Sequence, residues 1–514
     1  MVSARASRVG LAAILGASAA LRFIACCRGG QYFFGDEERY DRSVRLYLAL
    51  AHGDWRAARA VLAMPEHALF AWVGAAATAI QHLLAQATVF GDWDRHPEGI
   101  LFTVGLGACV LSLFSTANIL LVYRLARSLG ADREEALWAA LLMAASNTSF
   151  YFSRHLLPYD CAIFAGLLAL AVGLRAPVSW RAAASGALAA CACLLYNGYW
   201  FLPPALASSL LVAWRRQPGR LRLSGLWGAG FALGLGIALM AGTLAGGSGY
   251  WATMAAFGRS ATQGLFSEGW SLPWAYLWES EGPIGAAAAA CVILAVGSEL
   301  GRGRTPAARL LAWFAALAAG YGLLALSSSG LGAFVVYGRS VKPLVPFLCL
   351  AAGWALRLLI SERGWLRAAA AAALAVSGAW HIESHLGRVF PREFEIAVLR
   401  AWGNPKRTLS VSGSLYVPVA MAVERPDLAL VNAQFLYPIR GYIGFPPGVT
   451  ILTAENPLSY RPYQYEGFTP RERAILRSND VSMRLIRLAE PAGVPDDLPV
   501  SQRFNPTEKP TGRR

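Results

Sequence analysis

Long apolar segments recur from residue 9 to residue 382, and they constrain the fold of this chain more than any other feature. A helix needs about 20 apolar residues to cross the hydrocarbon core of a bilayer, and fewer where neighbouring helices cover its ends. The segments that meet this requirement are residues 9–27, 99–123, 134–152, 160–175, 182–197, 199–214, 223–245, 283–300, 307–327, 341–360 and 366–382. The pattern predicts a polytopic α-helical membrane protein with about 11 transmembrane helices.

Composition supports the membrane class and excludes two others. Of the 514 residues, 56% are hydrophobic and only 15% are charged, which is unusual for a soluble protein of this length. The formal net charge of +15 does not indicate a nucleic-acid partner, because most of the arginine lies in short runs between apolar segments. Arginine in that position sets membrane orientation and meets anionic lipid head groups.

The distribution of arginine predicts which loops face the cytoplasm. Short basic loops stay on the cytoplasmic side, and the N-terminus with Arg5 and Arg8 belongs there too. The other clusters follow every second span: Arg124, Arg127 and Arg133; Arg175 and Arg181; Arg215, Arg216, Arg220 and Arg222; Arg302, Arg304 and Arg309; Arg357, Arg363 and Arg367. The loop after the first span, and the part of the chain beyond the last span, are therefore expected outside.

One further apolar segment, residues 67–90, is not expected to cross. If it crossed, every later arginine cluster would face outward, against the charge rule. Gln81, His82 and Gln86 on neighbouring turns also indicate a helix with one polar face. We predict that this helix lies along the membrane within a first outer loop over residues 28–98.

The chain divides into three regions. Residues 1–382 form the transmembrane domain, and residues 383–494 have the mixed pattern of a small extracytoplasmic α/β domain, with strands at 408–412, 428–432 and 481–487 and a helix at 470–478. Residues 495–514 are polar and proline-rich, which predicts a disordered tail. All eight cysteines lie in or beside apolar segments, and we interpret them as small core residues.

The segment that follows the first span is strongly acidic. Asp36, Glu37, Glu38 and Asp41 place four carboxylates within six residues, next to the membrane. Acids also favour the first turn of a helix, and Glu38 could pair with Arg42 four residues later, so a capping or surface role is open for these residues. For Asp36 we favour a functional role, because a charged group near the bilayer is costly without one.

A second acid, Asp160, lies at the predicted outer start of another span. It follows Arg154 and His155 and precedes a run without charge up to Arg175. An N-cap role after Pro158 is the local alternative. Two acids at the outer ends of different spans, with cations beside one of them, form a candidate active site.

Several short motifs occur in an order typical of one enzyme group. They are Leu21-Arg22, Gly35-Asp36-Glu37-x-Arg39-Tyr40, Ser153-Arg154 followed by Asp160, the segment Tyr196 to Pro204, and the segment Tyr337 to Pro346. In these motifs, over residues 10–360, the chain resembles the polytopic GT-C glycosyltransferases, which include protein O-mannosyltransferases and lipid A aminoarabinose transferases. It departs from that pattern at Asn197, where relatives often have lysine.

The resemblance implies an inverting glycosyltransferase that moves a sugar from a polyprenyl-phosphate carrier to a glycan, lipid or protein acceptor on the outer face. Asp36 then matches the catalytic base with Glu37 beside it, and Asp160 matches the second acid. The remaining substrate or phosphate ligands would be Arg154, His155, Arg339, Lys342 and Tyr40. The chemistry needs such groups, because the acceptor hydroxyl must lose a proton and the departing phosphate gains negative charge.

Other readings stay open at this stage. The carboxylates fit reactions with or without a divalent cation such as Mg²⁺ or Mn²⁺, so a metal site remains undetermined. A lipid or glycan transporter without catalysis is the main alternative, although it predicts repeated halves that the sequence lacks. A structural membrane subunit would leave Asp36 and Asp160 unexplained. The expected location is a bacterial inner membrane, with the active site on the periplasmic or extracellular side.

Overall fold

The computed structural model of the protein describes the following residues: 3–27, 38–86, 104–175, 179–262, 270–303, 308–331, 338–360, 363–386, 428–432, 450–454 and 483–487. Asp36 and Glu37 lie outside the described residues. So do the predicted tail and most of the predicted C-terminal domain, including its expected strand at 408–412 and helix at 470–478.

The described part of the chain up to residue 386 is a bundle of helices. They are α1 (Ala4–Cys27), α2 (Glu38–Ala51), α3 (Trp55–Leu62), α4 (Ala68–Gln86), α5 (Val104–Ser128), α6 (Arg133–Ala145), α7 (Asn147–Phe152), α8 (Tyr159–Leu174), α9 (Ser179–Leu195), α10 (Leu202–Trp214), α11 (Arg220–Gly246), α12 (Gly249–Thr262), α13 (Leu272–Gly301), α14 (Ala308–Ala325), α15 (Gly338–Val341), α16 (Val345–Ile360) and α17 (Gly364–Leu386). Short 3₁₀ turns at Asn197–Tyr199 and Lys342–Leu344 precede α10 and α16.

Within the described residues, six helical stretches have the length and apolar composition to cross a membrane: Ala4–Cys27, Ala68–Gln86, Gly105–Ser128, Arg220–Gly246, Ile284–Gly301 and Arg339–Ile360. Helices α8, α9, α14 and α17 contribute shorter apolar stretches. The chain is thus a helical membrane protein, as its hydropathy predicts, whereas the number of eleven spans stays a prediction. The Arg339–Ile360 stretch is central, with 78% of its apolar window buried, and the α11 stretch is peripheral, with 11% buried.

The predicted span at 134–152 is wrong as a single helix. Ser146 leaves the helical conformation, with φ −60° and ψ 123°, and divides the segment into α6 and α7. The Ser146 hydroxyl accepts the Ser149 N–H at 3.2 Å and so caps α7. The predicted span at 283–300 matches the apolar stretch Ile284–Gly301, which follows a break in α13 at Gly282, whose φ of 56° favours glycine.

One end of the bundle collects arginine side chains, and we call it the arginine end. There the Ser7 and Tyr123 hydroxyls lie 2.9 Å apart, which places the start of α1 beside the end of α5. Arg309 binds Glu135 through two nitrogens, at 2.8 and 2.6 Å, and so joins the start of α14 to the start of α6. Further ion pairs from the end of α16 and the start of α17 reach the acids around the start of α6.

The opposite end, which we call the site end, contains the end of α1 and the starts of α8 and α10. Arg22 near the end of α1 reaches α5 and α7, as described below. The loop between α9 and α10 also lies here, because the rings of Tyr196 and Tyr159 have centroids 4.7 Å apart. Arg59 of α3 donates to the carbonyl oxygens of Leu244 and Ala245 at the end of α11.

Helix α4 is long and apolar, yet both of its ends contact the site end. Just before its start, the His67 N–H donates to Asn197 Oδ1 at 2.7 Å. Near its other end, Gln81 lies over the first turn of α5, where a Cβ on Gly107 would be 2.5 Å from Gln81 Oε1. A helix that crossed the bundle would place these two contacts at opposite ends. The placement therefore favours the prediction that α4 lies along the membrane.

Three short strands follow in sequence: β1 (Leu428–Asn432), β2 (Thr450–Ala454) and β3 (Met483–Arg487). They form an antiparallel sheet in the order β1-β3-β2, in which Leu430 pairs with Leu485 and Ile451 pairs with Ile486. Strand β1 coincides with the predicted strand at 428–432, and β3 lies within the predicted strand at 481–487. The wider α/β domain remains a prediction.

Candidate functional site

A buried ion pair forms the centre of the candidate site. Lys342 Nζ lies 2.8 Å from Asp160 Oδ1, and the two side chains are 1% and 7% exposed. Asp160 is in the first turn of α8, and Lys342 is in the 3₁₀ turn before α16. Asp160 is not the helix cap, because that position is taken by Pro158 without a side-chain hydrogen bond. The local capping alternative for Asp160 is therefore wrong.

The surroundings of the pair keep its charges out of water. Lys342 Nζ lies over the ring of Phe152, 4.8 Å from its centroid, in a cation–π contact. The side chain of Asn118 donates to the main-chain oxygen of Asp160 at 3.1 Å and holds the first turn of α8 against α5. Removing an ion pair from water costs several kcal/mol per ion, and the low dielectric of the interior strengthens the attraction between the two charges. Each buried charge is therefore strongly destabilising if its partner is removed.

Arg22 is a further buried charge at the site end. Its side chain donates to the hydroxyls of Ser115 on α5 and Ser149 on α7, at 3.0 and 3.2 Å. It is close enough to both Asp160 and Lys342 to interact with them electrostatically. Arg22 belongs to the Leu21-Arg22 motif but is not among the site residues predicted from the sequence. An arginine inside an apolar span was the signal that could have identified it.

The other predicted cations at this end are also buried. Arg339 Nη1 donates to the hydroxyl of Tyr159 at 3.3 Å, and Tyr159 is the residue immediately before Asp160. Arg154 and His155 are 3% and 1% exposed, in the turn that follows α7. The His155 ring packs 5.0 Å from the ring of Tyr151. The structure therefore gathers the predicted site residues of two separate segments, 154–160 and 339–342, at one end of the bundle.

A buried acid that the sequence analysis missed, Glu281, positions the turn that carries Arg154. Its carboxylate accepts the Ser146 hydroxyl at 2.9 Å and the main-chain N–H groups of Asn147 and Thr148 at 3.0 and 3.1 Å. These are the unsatisfied donors at the start of α7, where a negative charge is favoured. Glu281 immediately precedes the bend in α13 at Gly282.

Aromatic rings connect the buried pair to helix α2. The rings of Phe152 and Tyr159 have centroids 5.0 Å apart, and those of Tyr196 and Tyr199 are 4.7 Å apart. Together with the Tyr159–Tyr196 contact, these contacts form a continuous row of packed rings. The guanidinium of Arg39, from α2, lies 5.7 Å from the centroid of the Tyr196 ring.

The acid Glu66 ties α2 to the segment before α4. Arg42 donates to the Glu66 carboxylate at 2.9 Å and to its main-chain oxygen at 3.2 Å, and Arg39 Nε lies 3.6 Å from the other carboxylate oxygen. Burial alone would raise the pKa of Glu66, but the neighbouring His67, Arg39 and Arg42 hold that pKa well below its usual range. Glu66 therefore stays ionised in the folded protein.

His67 and Asn197 are joined by two hydrogen bonds. The His67 N–H donates to Asn197 Oδ1 at 2.7 Å, and the Asn197 N–H donates to His67 Nδ1 at 3.2 Å. Because Nδ1 accepts, the proton of the neutral ring lies on Nε2, which is 3.4 Å from Glu66 Oε1. The ring also stacks on Tyr196, with centroids 4.9 Å apart. Burial lowers the pKa of His67 to about 4, so the ring is neutral at pH 7.

Asn197 therefore has a structural role that the resemblance to GT-C glycosyltransferases does not suggest. The resemblance to GT-C glycosyltransferases implies a lysine at this position, in a loop expected to contact phosphate. In the structure it fixes the segment before α4 against the loop between α9 and α10. The backbone of His67 has a φ of 50°, which is uncommon for a residue other than glycine and is held by these contacts.

Tyr40, which the resemblance implies as a substrate ligand, is buried between α2 and α4. Its hydroxyl donates to Gln81 Oε1 at 3.0 Å and accepts from Thr78 Oγ1 at 3.1 Å. In this position it contributes packing and hydrogen bonds to the α2–α4 contact, and its role towards a substrate stays a prediction. Asp36 and Glu37 precede α2 but lie outside the described residues.

The described ranges contain no group of three or more His, Cys, Asp or Glu side chains arranged to hold a metal ion. Since Asp36 and Glu37 are not among them, the involvement of Mg²⁺ or Mn²⁺ stays as open as the sequence left it. No protein-family model matches this chain, and no curated protein matches it either. The resemblance to GT-C glycosyltransferases therefore rests on the motifs quoted above.

Proposed function

We propose that the protein is an inverting membrane glycosyltransferase of the GT-C type that uses a polyprenyl-phosphate sugar as donor. The observation that carries the proposal is the buried cluster around Asp160 and Lys342. Residues of three motifs, far apart in sequence, meet there at one end of a helical membrane protein. A charge cluster buried at that depth is costly, and such clusters in membrane proteins are generally functional.

The excess of buried cations suits a phosphate-linked donor. Arg22, Arg154, Arg339 and Lys342 are all at most 7% exposed at the site end. When the sugar leaves its carrier, the phosphate oxygen gains negative charge, and cations in a water-poor site stabilise that charge more strongly than water would. Arginine is suited to grip the phosphate through two donors, and lysine acts as a point charge.

The two acids then take different roles. Asp160 already pairs with Lys342, so we assign it to orienting the cation and the sugar, where a carboxylate also stabilises positive charge at the ring. Asp36, with Glu37 beside it, is assigned as the base that accepts the acceptor's hydroxyl proton. The acceptor oxygen then attacks the anomeric carbon, and the bond from that carbon to the phosphate oxygen breaks. The carrier leaves as polyprenyl phosphate.

Sugar transfer in membranes tests this proposal directly. Membranes that contain the protein are supplied with a panel of radiolabelled polyprenyl-phosphate sugars, and wild type is compared with Asp36→Asn and Asp160→Asn at matched protein levels. Asp132→Asn, at the arginine end, is the matched control. We expect transfer by wild type and by the control, and a loss of at least about 100-fold in Asp36→Asn, which is the usual contribution of a general base.

Two results would contradict the proposal. Full activity of Asp36→Asn would remove the assigned base and move that role to Glu37 or Asp160. Absence of transfer by wild type across the whole panel, together with movement of the labelled carrier across the membrane, would support the transporter instead.

A further inference from the structure

Three cysteines meet where the end of α1 lies beside the beginning of α5. Cys26 and Cys27 are the last two residues of α1, and Cys109 lies in the second turn of α5. The Cys109 thiol lies against the last turns of α1, which end in Cys26 and Cys27. The sequence predicts that all eight cysteines are small core residues, because they lie in or beside apolar segments. The proximity of these three depends on how the two helices pack.

The two helices approach closely at this point. A Cβ on Gly105 would lie 3.2 Å from the main-chain oxygen of Cys26. The Cys109 thiol donates to the carbonyl of Phe23 at 3.9 Å, and Phe23 is one helical turn before Cys27. A disulfide requires Cα atoms about 4.4–6.8 Å apart. Only a close backbone approach of this kind allows that distance between two helices.

The two α1 cysteines differ in their surroundings. Cys26 is buried, and its thiol donates to the main-chain oxygen of Ser153 at 3.5 Å. Cys27 is exposed and Cys109 is partly exposed. A thiol must be reached by an oxidant before it can form a disulfide. Cys27 and Cys109 are therefore the pair suited to oxidation, and Cys26 is the reduced neighbour.

We propose that Cys27 and Cys109 form a disulfide that joins the end of α1 to α5. The bond forms by exchange with a disulfide R–S–S–R, either a protein oxidant or glutathione disulfide. Cys27 first attacks that disulfide, releasing one R–SH and forming a mixed disulfide. The Cys109 thiolate then attacks the Cys27 sulfur and releases the second R–SH. Two thiols lose two electrons and two protons, and R–S–S–R accepts both.

The location of the pair favours this reaction. The arginine distribution predicts that the site end faces outward, and disulfides form and persist in oxidising compartments outside the cytoplasm. The bond would anchor the chain immediately before the segment that carries Asp36 and Glu37. This inference does not depend on the proposed sugar transfer, since it concerns only the covalent state of the protein.

Thiol trapping in whole cells measures that state. Cells that express the full-length protein are quenched in acid, free thiols are blocked with N-ethylmaleimide, and the protein is then reduced and labelled with a maleimide carrying polyethylene glycol. We expect wild type to gain two tags on reduction. Cys27→Ser and Cys109→Ser should gain none, and Cys26→Ser should still gain two. Mass spectrometry of the unreduced wild-type protein should find the peptides of Cys27 and Cys109 linked.

Two outcomes would overturn the inference. The first is an absence of tags gained by wild type, both in trapped cells and in membranes treated with glutathione disulfide. The second is a linked Cys26–Cys109 peptide, with tags retained in Cys27→Ser and lost in Cys26→Ser. Because the peptide measurement uses the wild-type protein, a variant that fails to fold does not affect it.

Discussion

The two ends of the helix bundle handle charge in different ways. At the arginine end, Arg357 lies 2.7 Å from Asp132 and Arg367 lies 3.0 Å from Glu134, and the two arginine side chains remain 26% and 40% exposed. At the site end, Asp160 and Lys342 are almost completely buried, and Arg22 and Arg339 beside them are buried as well. Both ends contain ion pairs with buried acids, but the arginine partners at the arginine end remain partly exposed, whereas both partners of the Asp160–Lys342 pair are buried.

The ion pairs at the two ends of the bundle differ in what they contribute to stability. A partly hydrated ion pair adds about 0–1 kcal/mol to stability and is weakened by salt, and its charges lose little hydration on folding. A buried pair must offset the desolvation of both charges, and an apolar pair of similar size often does as well for stability. Retaining charge at the site end is therefore better explained by a use for those charges than by the stability they add.

The largest effect should come from breaking the buried pair on one side. Lys342→Met leaves the Asp160 carboxylate buried without its partner, and we expect a loss of about 3–5 kcal/mol in the free energy of unfolding. The double variant Asp160→Asn/Lys342→Met should recover most of this stability while remaining inactive in sugar transfer. Thermal unfolding in detergent measures the first effect and the transfer assay measures the second. A double variant as unstable as the single one would contradict this account of the pair.

The second effect is a pH dependence within the site end. His67 has a folded pKa of about 4 against an ordinary value of 6.5, so the unfolded chain binds a proton that the folded one excludes between these values. Stability should fall as pH drops from 6.5 towards 4, by about 3 kcal/mol in full. The lowered pKa of Glu66 acts in the same direction at still lower pH, because protonation weakens its pairs with Arg39 and Arg42.

His67→Asn tests the source of this slope. Asparagine accepts the positive φ of this position and does not titrate, so the variant should lose most of the pH dependence between 6.5 and 4. Unfolding temperatures at several pH values in that range give the comparison. An unchanged slope in the variant would assign the dependence to other groups.

A smaller effect is expected where an acid acts only through position. Glu281→Gln keeps the shape of the side chain but removes the charge that the donors at the start of α7 contact, and we expect a loss of about 2 kcal/mol. Sugar transfer should fall in kcat because the turn that carries Arg154 and His155 loses its support. Stability lost without any change in kcat or KM would make Glu281 purely structural.

The smallest effects belong to the arginine end. Arg357→Gln and Arg367→Gln should each change the free energy of unfolding by at most about 1 kcal/mol, and the change should shrink as salt is raised. Transfer activity should be unchanged. A loss above about 3 kcal/mol in either variant would show that the ion pairs of the arginine end contribute as much to stability as the buried pair at the site end.

Several features of the fold and the site could be read from the chain because they are local. Hydropathy over a window identifies a membrane helix, and an acid at the start of an apolar run, such as Asp160, is visible without any partner. Other features could not be read in this way. Glu281 meets Ser146 across 135 positions of sequence, and His67 meets Asn197 across 130. The break at Ser146 could not be predicted, because hydropathy averaged over a window does not detect a helix cap within an apolar segment.

The sequence by itself determined that this is a helical membrane protein, since the cost of leaving backbone groups unpaired in lipid allows few other solutions for such apolar segments. It also singled out Asp160, Arg154, His155, Arg339 and Lys342 as candidate catalytic or phosphate-binding residues. Only the tertiary structure decided which partners they have. Three features depend on how helices cross: the pairing of Asp160 with Lys342, the support of α7 by Glu281, and the approach of Cys109 to the end of α1. Those crossings are set by packing over the whole bundle, which no local pattern records.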